Sequence, residues 1–439
     1  MERCFQLLIL IAVTSFVPLT STHAQEWTRF RGPNGSGISE ADSIPTKWTE
    51  ADYNWKVDLP GIGHASPVLW GENIFIHTAD ILNGTRPATA ESETATRSVI
   101  CLHASDGRTL WKKSFPSTLA KGYRVRAQNS LASSTPVVDA KHVYTAWSQG
   151  DATTLKVFTH GGELVWEREL GPYLSGHGFC TSPIVFDNLV ILQLHQRLPR
   201  DEDPVESTES RVIALDCKTG QTVWKTSHEN SLSATHAVPF LYAPAEKPVE
   251  LVVSSRKYGI TAYNPRTGVI NWSLESLDRR PIGSPISAAG LIFGTSGAGS
   301  GRDENKVVAV RPGPSPELVY EVNKHVPYVP TLIAKDNLVF LWCDKGGIVT
   351  CIDGPSGEIH WKERVGGDFF SSPIIIGDRI FCTDVQGTTV VLAASQDYQL
   401  LAKNRLRDNM HASPAVAGGC LYLRTFHHLI SLGGKNRGS

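Results

Sequence analysis

Three histidines in this 439-residue chain stand three residues ahead of a proline: His64 and His411, each in His-Ala-Ser-Pro, and His236 in His-Ala-Val-Pro. His177 and His325 fall in comparable stretches between apolar runs. Imidazole titrates near neutrality, ligates metals, and can donate or accept a hydrogen bond. Such a set would suit a metal, an acidic group or a quinone. The bland alternative is a hydrogen-bonded cap at a strand opening, inherited by duplication without any chemistry. Lys121, Arg124 and Arg126, with Arg279 and Arg280, would add an anion-attracting rim. Asp80, Asp303 and Asp368 are the carboxylates available nearby for acid–base work, and surface solvation explains them equally well. No Cys-x-x-Cys or adjacent cysteine pair, Gly-x-Ser-x-Gly, Walker-type loop or His-Glu-x-x-His occurs, so neither a zinc site nor a familiar nucleophile is signalled.

The elements that carry these histidines recur along the chain. A small residue and a proline open an apolar strand at Ser66-Pro67, Thr135-Pro136, Ser182-Pro183, Val238-Pro239, Ser284-Pro285, Val329-Pro330, Ser372-Pro373 and Ser413-Pro414. Successive prolines are 69, 47, 56, 46, 45, 43 and 41 residues apart, the spacing of a four-stranded propeller blade, with polar insertions in the longest units. Each unit holds four short β-rich runs. The last two flank a turn, clearest in Ala214-Leu-Asp216-Cys-Lys-Thr219-Gly220-Gln-Thr-Val-Trp224, where glycine takes positive φ and Asp and Thr bond turn amides. Asp106 with Trp111, Asn264 with Trp272, and Asp353, Gly357 and Trp361 repeat the pattern. Trp166 occupies the same place, Tyr320 substitutes in the fifth unit, and the seventh has lost the aromatic.

Ala-x-Asp-x-x-Thr-Gly-x-x-x-Trp resembles the docking motif of the PQQ-like (pyrrolo-quinoline quinone) β-propeller repeat family, over roughly Trp55 to Leu432. The resemblance implies an all-β, eight-bladed propeller of four-stranded antiparallel blades. In it Trp55, Trp111, Trp166, Trp224, Trp272 and Trp361 pack between blades rather than serve as ligand platforms. The final unit has room for three strands only, and Asn54-Trp55-Lys56-Val57-Asp58-Leu59 reads as a fourth strand without its first three. The N-terminal strand is therefore expected to complete the last blade, removing an exposed sheet edge. Trp27-Thr-Arg-Phe-Arg-Gly-Pro-Asn-Gly-Ser-Gly resembles the opening of exported members from planctomycete-type bacteria.

Residues 1–24 read as a signal peptide: Arg3, an apolar run from Phe5 to Val17, and small residues at Thr22 and Ala24 before the cut. Residues 25–53 form a lead-in, 54–432 the propeller and 433–439 a tail. Cys4 lies far from the cut, so the exported chain is expected to carry no lipid anchor and no stable membrane anchor. Most of the seven remaining cysteines read as core thiols, since Cys101 and Cys351 occupy the repeat position of Ala214. Lys plus Arg (42) nearly balances Asp plus Glu (43), which gives no field for nucleic acid.

Strand parity puts the loops between second and third strands on the same face as the blade linkers. That face carries the long excursions at 80–97, 196–210 and 295–306, and the histidines. The resulting expectation is an exported, periplasmic or extracellular, noncatalytic scaffold. It would bind an envelope protein or polysaccharide on the elaborated face, as BamB-type members of the repeat family do with protein partners. Alternatives are a quinoprotein dehydrogenase using PQQ with calcium, whose calcium ligands and base could not be matched to residues here, and a propeller polysaccharide hydrolase or lyase.

Overall fold

A computed structural model describes residues 26–81, 94–118, 129–148, 152–201, 203, 208–299 and 304–434. Residues 1–25, Lys121, Arg124, Arg126 and Asp303 lie outside this set. The described chain is all-β, with eight sheets each built on four antiparallel strands. Blade 3 shows the plan: Ile184–Phe186, Leu189–Leu194, Ser210–Asp216 and Thr222–His228 run from the axis outward. Blade 8 is Ala415–Ala417, Cys420–Arg424 and His428–Gly433, completed by Tyr53–Asp58 antiparallel to His428–Leu432. The ring is thus closed by the N-terminal strand.

Burial follows radius. Second and third strands are covered on both faces by neighbouring blades, and Leu189–Leu194 is buried throughout. Their sequences are correspondingly apolar without alternation. Outer strands sit where the blades fan apart and alternate, as Leu164–Glu169 does. Cys101, Cys217, Cys343, Cys351 and Cys382 are buried free thiols.

Two layers of contact lock blade to blade. At the rim, the indole N–H of Trp111 donates to His160 O (2.7 Å), Trp166 to Cys217 O (2.9 Å), Trp224 to Pro265 O (3.0 Å), Trp361 to Ser395 O (3.1 Å) and Trp55 to Ala104 O (2.9 Å). Each acceptor lies in the turn of the next blade. The turn glycine presses on the same ring: Gly220 has φ +68, and a Cβ there would lie 2.7 Å from Trp166. Trp272 instead bonds Glu250 of its own blade at 3.0 Å, because the following turn, Arg311-Pro-Gly-Pro-Ser-Pro316, departs from the motif. Asp216 accepts from Thr219 N and Oγ1 (2.8 and 2.9 Å), and Asp353 from Ser356 in the same way. Asp106 plays this part through the Arg108 amide.

Near the axis, the residue before the strand opening donates its amide to the hydroxyl of its counterpart in the next blade. Ser66 bonds Thr135 (3.0 Å), Thr135 bonds Ser182 (2.9 Å), Val238 bonds Ser284 (3.0 Å), Ser284 bonds Thr331 (3.0 Å), Thr331 bonds Ser372 (3.0 Å) and Ser372 bonds Ser413 (2.8 Å). This belt explains why Ser or Thr recurs there. It also corrects the sequence register of blade 6. Its inner strand starts at Ile333, so Thr331 and Leu332 fill the Ser-Pro places, and Val329-Pro330 stands two residues early.

The lead-in crosses the ring. Trp27 bridges to Leu69 of blade 1, Thr28 O accepts from Val138 of blade 2, Arg29 bonds Pro239 O of blade 4, and Asn34 exchanges two bonds with Leu241. The chain then reaches blade 7, where Ile38–Ser39 pairs in parallel with Ile375–Ile376. Gly32, at φ +67, lets the backbone lie against the Trp27 ring, where a Cβ would come within 2.5 Å. Trp27 itself is fully buried. The segment is a bar laid across the channel beneath the strand openings.

Candidate functional site

Above this bar, on the linker face, the axis widens into a cavity of about 460 Å³. Its wall is built by register. The position three residues before each opening contributes His64, Ser133, Cys180, His236, Ile282, Val329, Phe370 and His411, one per blade. The hydroxyl belt forms the lower course and Phe30 of the lead-in contributes to the lining from below. Eight inner strands aimed at one axis make this convergence unavoidable.

Four of the five singled-out histidines meet here. His64 and His411, from adjacent blades 1 and 8, have ring centroids 4.5 Å apart; His64 stacks on Phe426 at 5.4 Å and His411 meets the same ring edge-on at 4.9 Å. Phe370 meets His411 edge-on at 4.8 Å. Across the cavity His177 and His236 lie 5.9 Å apart. His325 is not part of the lining: it is exposed in the linker between blades 5 and 6, with left-handed backbone at φ 55.

Arg280, named above for the anion-attracting rim, and residues that the sequence did not connect with the cavity define its polarity. Arg280 Nη1 donates to His177 Nε2 at 2.8 Å and to Tyr328 Oη at 3.1 Å. Asp344 accepts the Tyr328 amide at 3.0 Å, and burial pushes its carboxyl upward. Lys345 is tied to Asp368 at 2.9 Å. His236 is held neutral, well below its ordinary pKa, by burial first and then by Arg280 and His177. Burial pushes the Cys180 thiol up to about 12, which leaves it a poor nucleophile. Arg29 and Arg31 flank Phe30 fully buried, on carbonyls rather than carboxylates, including Pro239 O and Pro373 O; burial lowers both to about 9, so both stay charged at neutral pH.

Among the described residues Asp344 is the lone carboxylate in the lining, and Asp80 and Arg279 stand apart from it. Calcium takes six to eight oxygen ligands, carboxylates prominent among them. Among the described residues no group of three or more His, Cys, Asp or Glu is placed to hold a metal ion. The residues present therefore do not fit a calcium-held PQQ. A glycosidase pair would need two carboxylates about 5 to 10 Å apart across a substrate, which the described lining does not supply.

The family described as outer membrane protein assembly factor BamB matches residues 54–227, 95–313 and 328–425. No curated protein matches the sequence. Similar solved structures include BamB from Moraxella catarrhalis, with TM-score 0.57 and 14% identity over 88% of this chain and 98% of that one. A quinohemoprotein alcohol dehydrogenase from Pseudomonas putida HK5 has TM-score 0.62 and 10% identity over 94% of this chain and 81% of that one. The computationally designed Ika8 protein gives 0.56 and 13% over 87% and 99%. At such identities the likeness is one of fold.

Proposed function

The chain belongs to the outer membrane protein assembly factor BamB family, and from that premise we propose that it is an exported, noncatalytic scaffold whose linker face binds a protein partner in the cell envelope. The observation that carries this reading is the asymmetry of the ring. One face gathers the described blade linkers, the segments at 196–201 and 208–210 and an open cavity, while the channel beneath is barred by the lead-in. The opposite face ends in short turns occupied with blade docking. Rigid scaffolds bind through the face that carries loop elaboration.

The noncatalytic part of the reading rests on how the polar groups are used. The belt hydroxyls accept backbone amides, the rim indoles bond neighbouring turns, and Asp368 is paired with Lys345. Among the described residues Ser175 Oγ lies 3.4 Å from His236 Nε2, and no third group bonds His236 Nδ1 to orient that imidazole as a base. Export rests on residues 1–24 reading as a signal peptide, and it agrees with the envelope role for which the family is named.

The test uses residues 25–439 with a photo-crosslinking amino acid at His325 on the linker face or at Lys218 on the turn face. Crosslinks to a defined envelope protein from the first site and none from the second support the proposal. The reverse pattern overturns it, as does a rise in melting temperature on adding PQQ that requires calcium.

A further inference from the structure

Resting on the linker face as the binding face, we infer that the cavity recognises a carboxylate, held between Arg280 and His236. Both side chains line the cavity, and among the described residues neither Arg280 Nε nor His236 Nδ1 has a protein partner. Arg280 is oriented by His177 Nε2 and Tyr328 Oη, which together hold Nη1 and leave the other edge of its guanidinium to a ligand.

Among the described residues no carboxylate forms an ion pair with Arg280. A guanidinium presents a flat fork matched to a carboxylate's two oxygens. The surroundings favour the same choice. Phe370 adds an apolar wall, and a neutral His236 supplies a donor without a second charge. Beneath the floor the buried Arg29 and Arg31, held on carbonyls, raise the local potential against one described lining carboxylate, Asp344. A volume near 460 Å³ admits a small aromatic acid or the last residues of a polypeptide.

Titration calorimetry on the full exported chain decides the matter with four probes: benzoate, its neutral isostere benzamide, and the peptide Ala-Ala-Phe as free acid and as amide. Benzoate is expected to bind at least tenfold more tightly than benzamide. Arg280→Gln and, separately, His236→Leu are expected to remove most of that preference, while Arg279→Gln, at an exposed neighbour outside the cavity, keeps it. Free-acid peptide binding tenfold more tightly than benzoate identifies a partner's chain end as the source; parity identifies a free small acid. Equal binding of benzoate and benzamide, or no binding of any probe by a folded wild-type chain, overturns the inference. Crosslinking from His325 would survive that failure, so the two proposals fall separately.

Discussion

Acid should loosen this ring through the histidines it holds neutral, and His77 isolates the effect. His77 lies on the second strand of blade 1, Asn73–Ile81, and is 1% exposed. Burial first, then the nearby Arg97 and Arg424 guanidiniums, pushes its pKa down from 6.5 to about 3. In the unfolded chain His77 takes up a proton as pH falls below 6.5; in the fold it stays neutral until about pH 3. The unfolded state therefore binds more protons throughout that window, and stability falls as pH falls. At pH 5, about 1.5 units below the unfolded value, the loss is roughly 2 kcal/mol. His195, lowered to about 3 by burial and then by His228, adds a similar amount. Urea unfolding of wild type and His77→Leu, followed by tryptophan fluorescence at pH 7.5 and 5.0, reads the difference. The packing change in the variant is present at both pH values and cancels. Wild type should lose about 2 kcal/mol more than the variant between the two. Equal losses would show that His77 is protonated in the fold and refute the reasoning.

Trp27→Ala should lower unfolding free energy by about 3–5 kcal/mol, the cost of removing a fully buried indole, and a loss under 1 kcal/mol would mean that the bar does not hold the channel. Gly220→Ala sets a Cβ against the Trp166 ring at positive φ, so a drop of about 1–3 kcal/mol is expected from denaturant midpoints; an unchanged midpoint would show that the rim contact is slack. Removing residues 26–58 leaves His428–Gly433 as an open edge. The truncated chain should unfold at lower denaturant and self-associate with rising concentration in light scattering; a stable monomer would refute closure by the N-terminal strand.

The cavity gives these stability effects a functional side. His236 and Arg280 are bound into the same linkers that the blade contacts fix, so a ligand there would act on rigid walls. The donors would be ordered before the partner arrives, which lowers the entropic cost of binding.

The repeat, the four strands of each blade, the rim motif and the closing role of Asn54–Leu59 were legible in the sequence, because each depends on residues close together along the chain or repeated at a fixed interval. The same periodicity brought out His64, His236 and His411. It misplaced blade 6, where Leu332 takes the proline position and Pro330 is a decoy, since a dipeptide match carries no knowledge of which strand start pairs with its neighbours. It also grouped His325 with residues from which the linker turns it away. Arg280, Tyr328, Asp344 and Phe30 carry no repeat signature at all. They meet only because eight strands converge on one axis and the lead-in passes beneath them. A local pattern specifies a blade; which side chains share the centre is settled only when the ring closes.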